Sequence, residues 1–144
     1  NAVAMLTKAI SLKEDYGDAY LLRGETLLKN GDTDEADEDA IWLIEHTEDN
    51  EDVMMLKARI ERAKGNTDAA KDYYTKVTDA NPFNIDAYRE RGELRLATGD
   101  EKGGNEDIEH AKELTAQLPE NNDEEGIENK VKEKYKSMDP YGVF

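Results

Sequence analysis

Cysteine is absent from the 144 residues, which excludes a disulfide framework, a thiol nucleophile and a thiolate metal site. Long apolar runs are absent too. The longest stretch without a charged residue is 1–7, far short of the roughly 20 apolar residues that a membrane-spanning helix needs. Basic residues are scarce: 19 Lys and Arg against 35 Asp and Glu leave a net charge of −16. Such a field repels phosphate backbones, so nucleic-acid binding is not expected, and it favours basic partners. Apolar residues are few, at 37%, below the roughly 45–50% of an ordinary globular domain. A chain so charged and so poor in core residues folds only if their spacing is regular.

The spacing is regular. Aligning Gly24 with Gly92 imposes a separation of twice 34, and residues 17–50, 51–84 and 85–118 then stack without a gap. The fourth position reads Tyr20, Met54, Tyr88, and the eighth reads Gly24, Ala58, Gly92. Large and small residues one turn apart share a helical face, where a bulky side chain fits against a closely approaching neighbour. The fifteenth position is Gly31, Gly65, Gly99, which suits a left-handed residue closing a first helix. Asp32, Asn66 and Asp100 follow as N-cap formers of a second helix. Later columns are small or apolar: Ala36, Ala70, Gly104; then Ala40, Tyr74, Ile108; then Leu43, Val77, Ala111.

These units resemble the tetratricopeptide repeat. DAYLLRGETLLKNGDTDEA and DAYRERGELRLATGD are similar to its helix-turn-helix, and MMLKARIERAKGNTDAAKDYYTKVTDANP keeps the glycine, the Ala, the Tyr and the closing Pro. The resemblance implies an all-α, right-handed helical-repeat solenoid with three full repeats. Residues 1–16 fit the second helix of a truncated upstream repeat, with Ala2, Leu6 and Ala9 on its columns. That register, and an opening at Asn1-Ala2 without Met, leads us to expect a piece of a longer chain. In residues 119–144, Ile127, Val131, Tyr135 and Met138 form an apolar stripe, which predicts a capping helix over about 123–138. Two departures stand out. Gly103-Gly104 should make the last second helix start late or fray, at about 1 kcal/mol per Gly. The eleventh position, usually aromatic in the family, is Leu27, Glu61, Arg95.

Chemistry has no candidate centre. The acidic run Asp32–Asp39 places Ala36 and Asp37 where a calcium loop needs a ligand and a Gly, and acids are favoured at a helix start in any case. His46 and His110 stand alone, without ligand or catalytic spacing to another group. No catalytic residue, metal ligand or cofactor is expected. The seventh position carries Arg23, Lys57 and Arg91, with Asp39 and Asp107 sixteen residues after the two arginines. An ion pair between the helices of one repeat, or a cation ladder for an acidic ligand, would each explain that spacing. Tyr73 stands opposite Lys57, so the middle unit should lack the pair.

In the family, positions two, five, nine, twelve and thirteen of the first helix form the concave surface. Here they are Asp18, Leu21, Glu25, Leu28, Lys29; Asp52, Met55, Arg59, Arg62, Ala63; and Asp86, Arg89, Glu93, Leu96, Ala97. Leu21, Leu28, Met55 and Leu96 would put apolar groups in an open groove, with Arg59, Arg62 and Arg89 as a basic island. The family's carboxylate clamp is absent, because Leu21, Glu25 and Leu56 hold its positions. Trp42 is either buried beside Ala40 or a side-surface anchor for a partner or a second copy. The expected function is a non-enzymatic scaffold that binds a protein or peptide segment in the groove. The alternative is a self-assembly module packing against another copy or its own upstream part.

Overall fold

The helices begin at a fixed interval. The computed structural model describes residues 2–12, 17–48 and 50–118, and first helices start at Gly17, Glu51 and Ile85, second helices at Thr33, Thr67 and Glu101. Each step is 34 residues. The elements are α1 (Ala2–Leu12), α2 (Gly17–Lys29), α3 (Thr33–His46), α4 (Glu51–Ala63), α5 (Thr67–Ala80), α6 (Ile85–Ala97) and α7 (Glu101–Ala116). No strand occurs among the described residues. The expected capping helix lies outside them.

The turn that repeats is set by one glycine conformation. Gly31, Gly65 and Gly99 have φ of 87°, 83° and 91°, the left-handed region in which only Gly escapes a Cβ clash. In each turn the glycine N–H donates three residues back, as Gly31 does to Leu28. The next N–H donates five back, as Asp32 does to Leu27. This paired closure satisfies the last carbonyls of the first helix. Of the three expected N-caps of second helices, only Asp100 uses its side chain, accepting from Gly103 N–H. Asp32 makes no side-chain cap bond, and Asn66 donates to Glu61 instead. Asn50 and Asn84 cap the first helices α4 and α6 by accepting from Val53 and Ala87.

Most of the small and apolar columns read from the sequence lie in the core, while the fourth-position Tyr20, Met54 and Tyr88 are half-buried. Ala36, Ala40, Leu43, Ala58, Ala70, Tyr74 and Val77 are almost fully enclosed. Leu27, Val53, Leu56 and Ile60 join the upstream cluster, while Met55, Ala87 and Leu94 join the downstream one. Leu6 of α1 is also buried. Each consecutive pair of helices packs antiparallel within its unit, and every helix also packs on the next in sequence.

α7 corrects an expectation. It neither starts late nor frays: it is continuous from Glu101, directly after its cap. A Cβ on Gly92 would lie 2.9 Å from the Gly104 carbonyl oxygen, and one on Gly104 would lie 2.9 Å from that of Gly92 and 2.6 Å from Leu96. α6 and α7 therefore touch backbone to backbone at this point. The propensity cost of the glycine is offset by a contact that no side chain could allow.

Candidate functional site

The first helices line up on one side. α2 packs directly on α4, and α4 is tied to α6 by ion pairs. No comparable contact joins α3 to α5 or α5 to α7 among the described residues. The first-helix side is therefore the closed, inner row and the second helices splay apart on the outer one.

Along the inner row the candidate residues differ. Met55 is only 5% exposed and belongs to the core with Ala58, Tyr74 and Ala87, so it is not an open groove residue as the pattern suggested. Leu21 and Leu28 are half-buried against the upstream core, and Glu25 is half-buried beside them. Leu96 is open, at 36%, with its inner edge against Gly104. Position five thus changes from half-buried Leu21 to buried Met55 to exposed Arg89.

The arginines are not a free basic island either. Arg59 Nε and Nη2 donate to Glu90 Oε1 and Oε2 at 2.8 and 2.7 Å. Tyr74 donates its hydroxyl to the same Oε1 at 3.1 Å. Burial acts to raise the Glu90 carboxyl, but the hydrogen bonds and charge of Arg59 outweigh it and hold the group below its ordinary value. Burial and the neighbouring Glu90 push the Tyr74 hydroxyl up to about 12, so it remains a donor. Arg62 and Arg89 hold their carboxylates more loosely: each reaches Glu93, at 3.8 and 3.9 Å, while Arg62 also hydrogen-bonds the Tyr74 hydroxyl and Arg89 meets Asp86 at 3.2 Å. The sequence carried a signal for this ladder, since Glu90 follows Arg59 and Glu93 follows Arg62 by the same 31 residues.

The sixteen-residue spacing is an ion pair in both outer units. Arg23 forks onto both oxygens of Asp39, with Nε to Oδ2 at 2.7 Å. Arg91 forks onto Asp107 at 2.8 and 2.7 Å and also donates to Thr75 and Thr78. The middle unit lacks this pair, as expected, yet Lys57 is not idle. It donates to Asp37 of the preceding helix pair at 2.5 Å and pairs with Glu61 at 2.9 Å, while Lys64 takes the other Asp37 oxygen. Burial would raise Asp37, but the two lysines bring it below its ordinary value. Two eleventh-position residues thus serve as ionic partners: Glu61 for Lys57, and Arg95 for Asp107 at 2.8 Å.

Trp42 is half-buried and stacked between Tyr20 and His46, with ring centroids at 3.7 and 4.4 Å. His46 Nδ1 also lies 2.8 Å from the Trp42 carbonyl oxygen. The indole is committed on both faces to its own chain. The apolar groups that do project from α3 are Ile41 and Ile44, 44% and 38% exposed. Their i, i+3 spacing inside an acidic helix was the signal for them.

Helix pairs repeating every 34 residues around successive core clusters define a helical-repeat protein. The family model described as Tetratricopeptide repeat matches residues 55–103, from α4 into α7, and the helical-repeat architecture is consistent with a tetratricopeptide-repeat protein. No curated protein matches the chain at a significant level. Tetratricopeptide repeats generally mediate protein–protein interaction and are typically non-enzymatic. No helix among the described residues is long and apolar enough to cross a membrane.

Proposed function

We propose that the chain is a non-enzymatic scaffold that holds a peptide segment of a partner protein along the inner face of α2, α4 and α6. The division into units 17–50, 51–84 and 85–118 is part of this proposal. The observation that carries it is the contrast in how the inner-row charges are held. Arg59 and Glu90 are fixed by bidentate contact, whereas Arg62, Arg89 and Glu93 meet only at 3.8 and 3.9 Å beside open Leu96. A tight pair stiffens the row. A loose exposed pair costs little to break, so a ligand carboxylate can replace Glu93 on either arginine. An apolar ligand side chain can meanwhile cover Leu96, giving the mixture of apolar anchor and charge fixation by which grooves recognise peptides.

At the α2 end, the half-buried Leu21, Glu25 and Leu28 extend the same face. The test is capture from the source lysate with wild type and with Arg62→Glu/Leu96→Ser, a pair on exposed positions whose folding is checked by circular dichroism. A protein caught by wild type and lost by the variant supports the inner-face site. Equal capture by both overturns it.

A further inference from the structure

The second-helix side carries a surface that the inner row does not explain. α3 has no Lys or Arg in its 14 residues, the only basic-capable group being His46 at its end. Two of its carboxylates, Asp37 and Asp39, are consumed by cations of neighbouring helices. Asp34, Glu38 and Glu45 are exposed, and no described cation pairs with them. They stand seven and three residues before Ile41 and four after it, hence on its side of the helix.

Ile41 and Ile44 project from the middle of this acidic side. Ile44 also forms part of the wall of a cavity of about 80 Å³ between α3 and α5, with Val53, Met54 and Tyr73 as its apolar lining and Thr47, Glu48 and Asn50 as its polar lining. Lys76 closes its edge with its ammonium 4.8 Å from the Tyr73 ring centroid. Two exposed isoleucines, one of them in the wall of this cavity, bordered on α3 by unpaired carboxylates, form an apolar centre with a mainly acidic rim.

We propose that the outward side of α3 and the cavity beside Ile44 form a second interaction surface, which takes a basic amphipathic helical segment of a partner protein. The occupant follows from charge complementarity. The rim is anionic within a chain of net charge −16, so a second copy would bring like charge to like charge, whereas Lys or Arg flanking an apolar stripe satisfies both parts. One bulky side chain of the stripe enters the cavity beside Ile44, a second lies over Ile41, and the flanking cations meet Glu38 and Glu45. This surface is independent of the inner-face site and can be lost without it.

The probe is a synthetic Leu/Lys peptide patterned with the helical period, set beside a scramble of identical composition that has no apolar face. The chain's single Trp, Trp42, is next to Ile41, so its fluorescence reports binding together with the anisotropy of the labelled peptide. The patterned peptide should bind wild type roughly tenfold or more tighter than the scramble. Ile41→Ser/Ile44→Ser should abolish that preference, and Arg62→Glu/Leu96→Ser should leave it intact. Glu38→Lys/Glu45→Lys, which spares the apolar residues, should weaken binding and flatten its salt dependence; it carries the test if the isoleucine variant fails to fold. Equal binding of both peptides by wild type, or an unchanged preference in Ile41→Ser/Ile44→Ser, would overturn the proposal. So would a wild-type dimer in sedimentation that the isoleucine variant abolishes, because the surface would then belong to a second copy.

Discussion

The outer two helix pairs and the middle one solve the same problem differently. In the first and third, an arginine of the first helix forks onto an aspartate of the second, Arg23 on Asp39 and Arg91 on Asp107. Each pair locks its own unit. In the middle, Lys57 points away from its own second helix to Asp37 of the unit before, with Lys64 on the other oxygen. The same column of the repeat therefore carries its ion pair inside the unit twice, through arginines that also reach hydroxyls of the preceding helix, Arg23 to Thr7 and Arg91 to Thr75 and Thr78, and across a junction once. Arginine's planar fork suits a two-point lock inside a unit, whereas a lysine ammonium can divide its donors between two carboxylates. A repeat array is stable through both unit and junction terms, and here one sequence position supplies whichever is needed.

The largest effect should come from breaking the most enclosed lock. Asp107→Ala leaves the Arg91 guanidinium, whose side chain is only 10% exposed, without a carboxylate and with only the Thr75 and Thr78 hydroxyls, takes a partner from Arg95 as well, and should cost about 3–5 kcal/mol in urea unfolding. Asp37→Ala leaves Lys57 with Glu61, so it should cost less, about 1.5–3 kcal/mol. Its signature should differ as well. A weakened junction should broaden the urea transition or split it in two, whereas Asp107→Ala should shift the midpoint. If Asp37→Ala shifts the midpoint with an unchanged slope, the division between unit and junction roles fails.

The small-residue column sharpens the comparison. Gly92→Ala pushes a methyl against the backbone oxygen of Gly104 and should cost about 1–3 kcal/mol by thermal unfolding. At Gly24 the close neighbour is the end of the Leu56 side chain, which can turn aside. Gly24→Ala should therefore cost clearly less than Gly92→Ala, and equal losses would show that the α6–α7 approach is not special. The middle unit already carries Ala58 at this position.

Acid tests the junctions together. Asp37 and Glu90 both have carboxyl groups held below their ordinary values. The stability they add is present above the ordinary carboxylate range near 4 and is lost as the pH falls through the lowered values. The melting temperature should drop below about pH 4, and Glu90→Gln should flatten part of that drop. The smallest effect belongs to the exposed rim of the inner face. Arg62→Ala removes a 3.8 Å contact with a half-exposed Glu93 and a hydrogen bond to the Tyr74 hydroxyl, which keeps its bond to Glu90, and should change stability by about 1 kcal/mol.

Much of the fold was legible because the repeat makes its own alignment. Gly31, Gly65 and Gly99 announce the turns, since each must sit at positive φ. Ala36, Ala70 and Gly104 announce the helix contacts, since each must be small. The Arg-to-Asp spacing of sixteen gave the internal locks. The inner face was less legible. Met55 stands where the pattern calls for a groove residue, but a long flexible side chain turns toward whatever apolar space is nearest, and here that is the core with Tyr74. Arg59 looked like a free cation because its partner, Glu90, is in the next unit, and pairing across units depends on how one pair of helices is set on the next.

Local sequence determined what a single unit needs. It specified where the chain must turn, which positions must be small, and which charge closes a helix on its neighbour, because all of these act within one helical hairpin. Tertiary structure alone decided which surface stays open. Met55 went in, Trp42 was taken between Tyr20 and His46, and the inner arginines were given carboxylates, while Ile41, Ile44 and Leu96 were left facing solvent. The reason is geometric: exposure depends on the distance and tilt between successive helix pairs, and no residue type carries that information by itself.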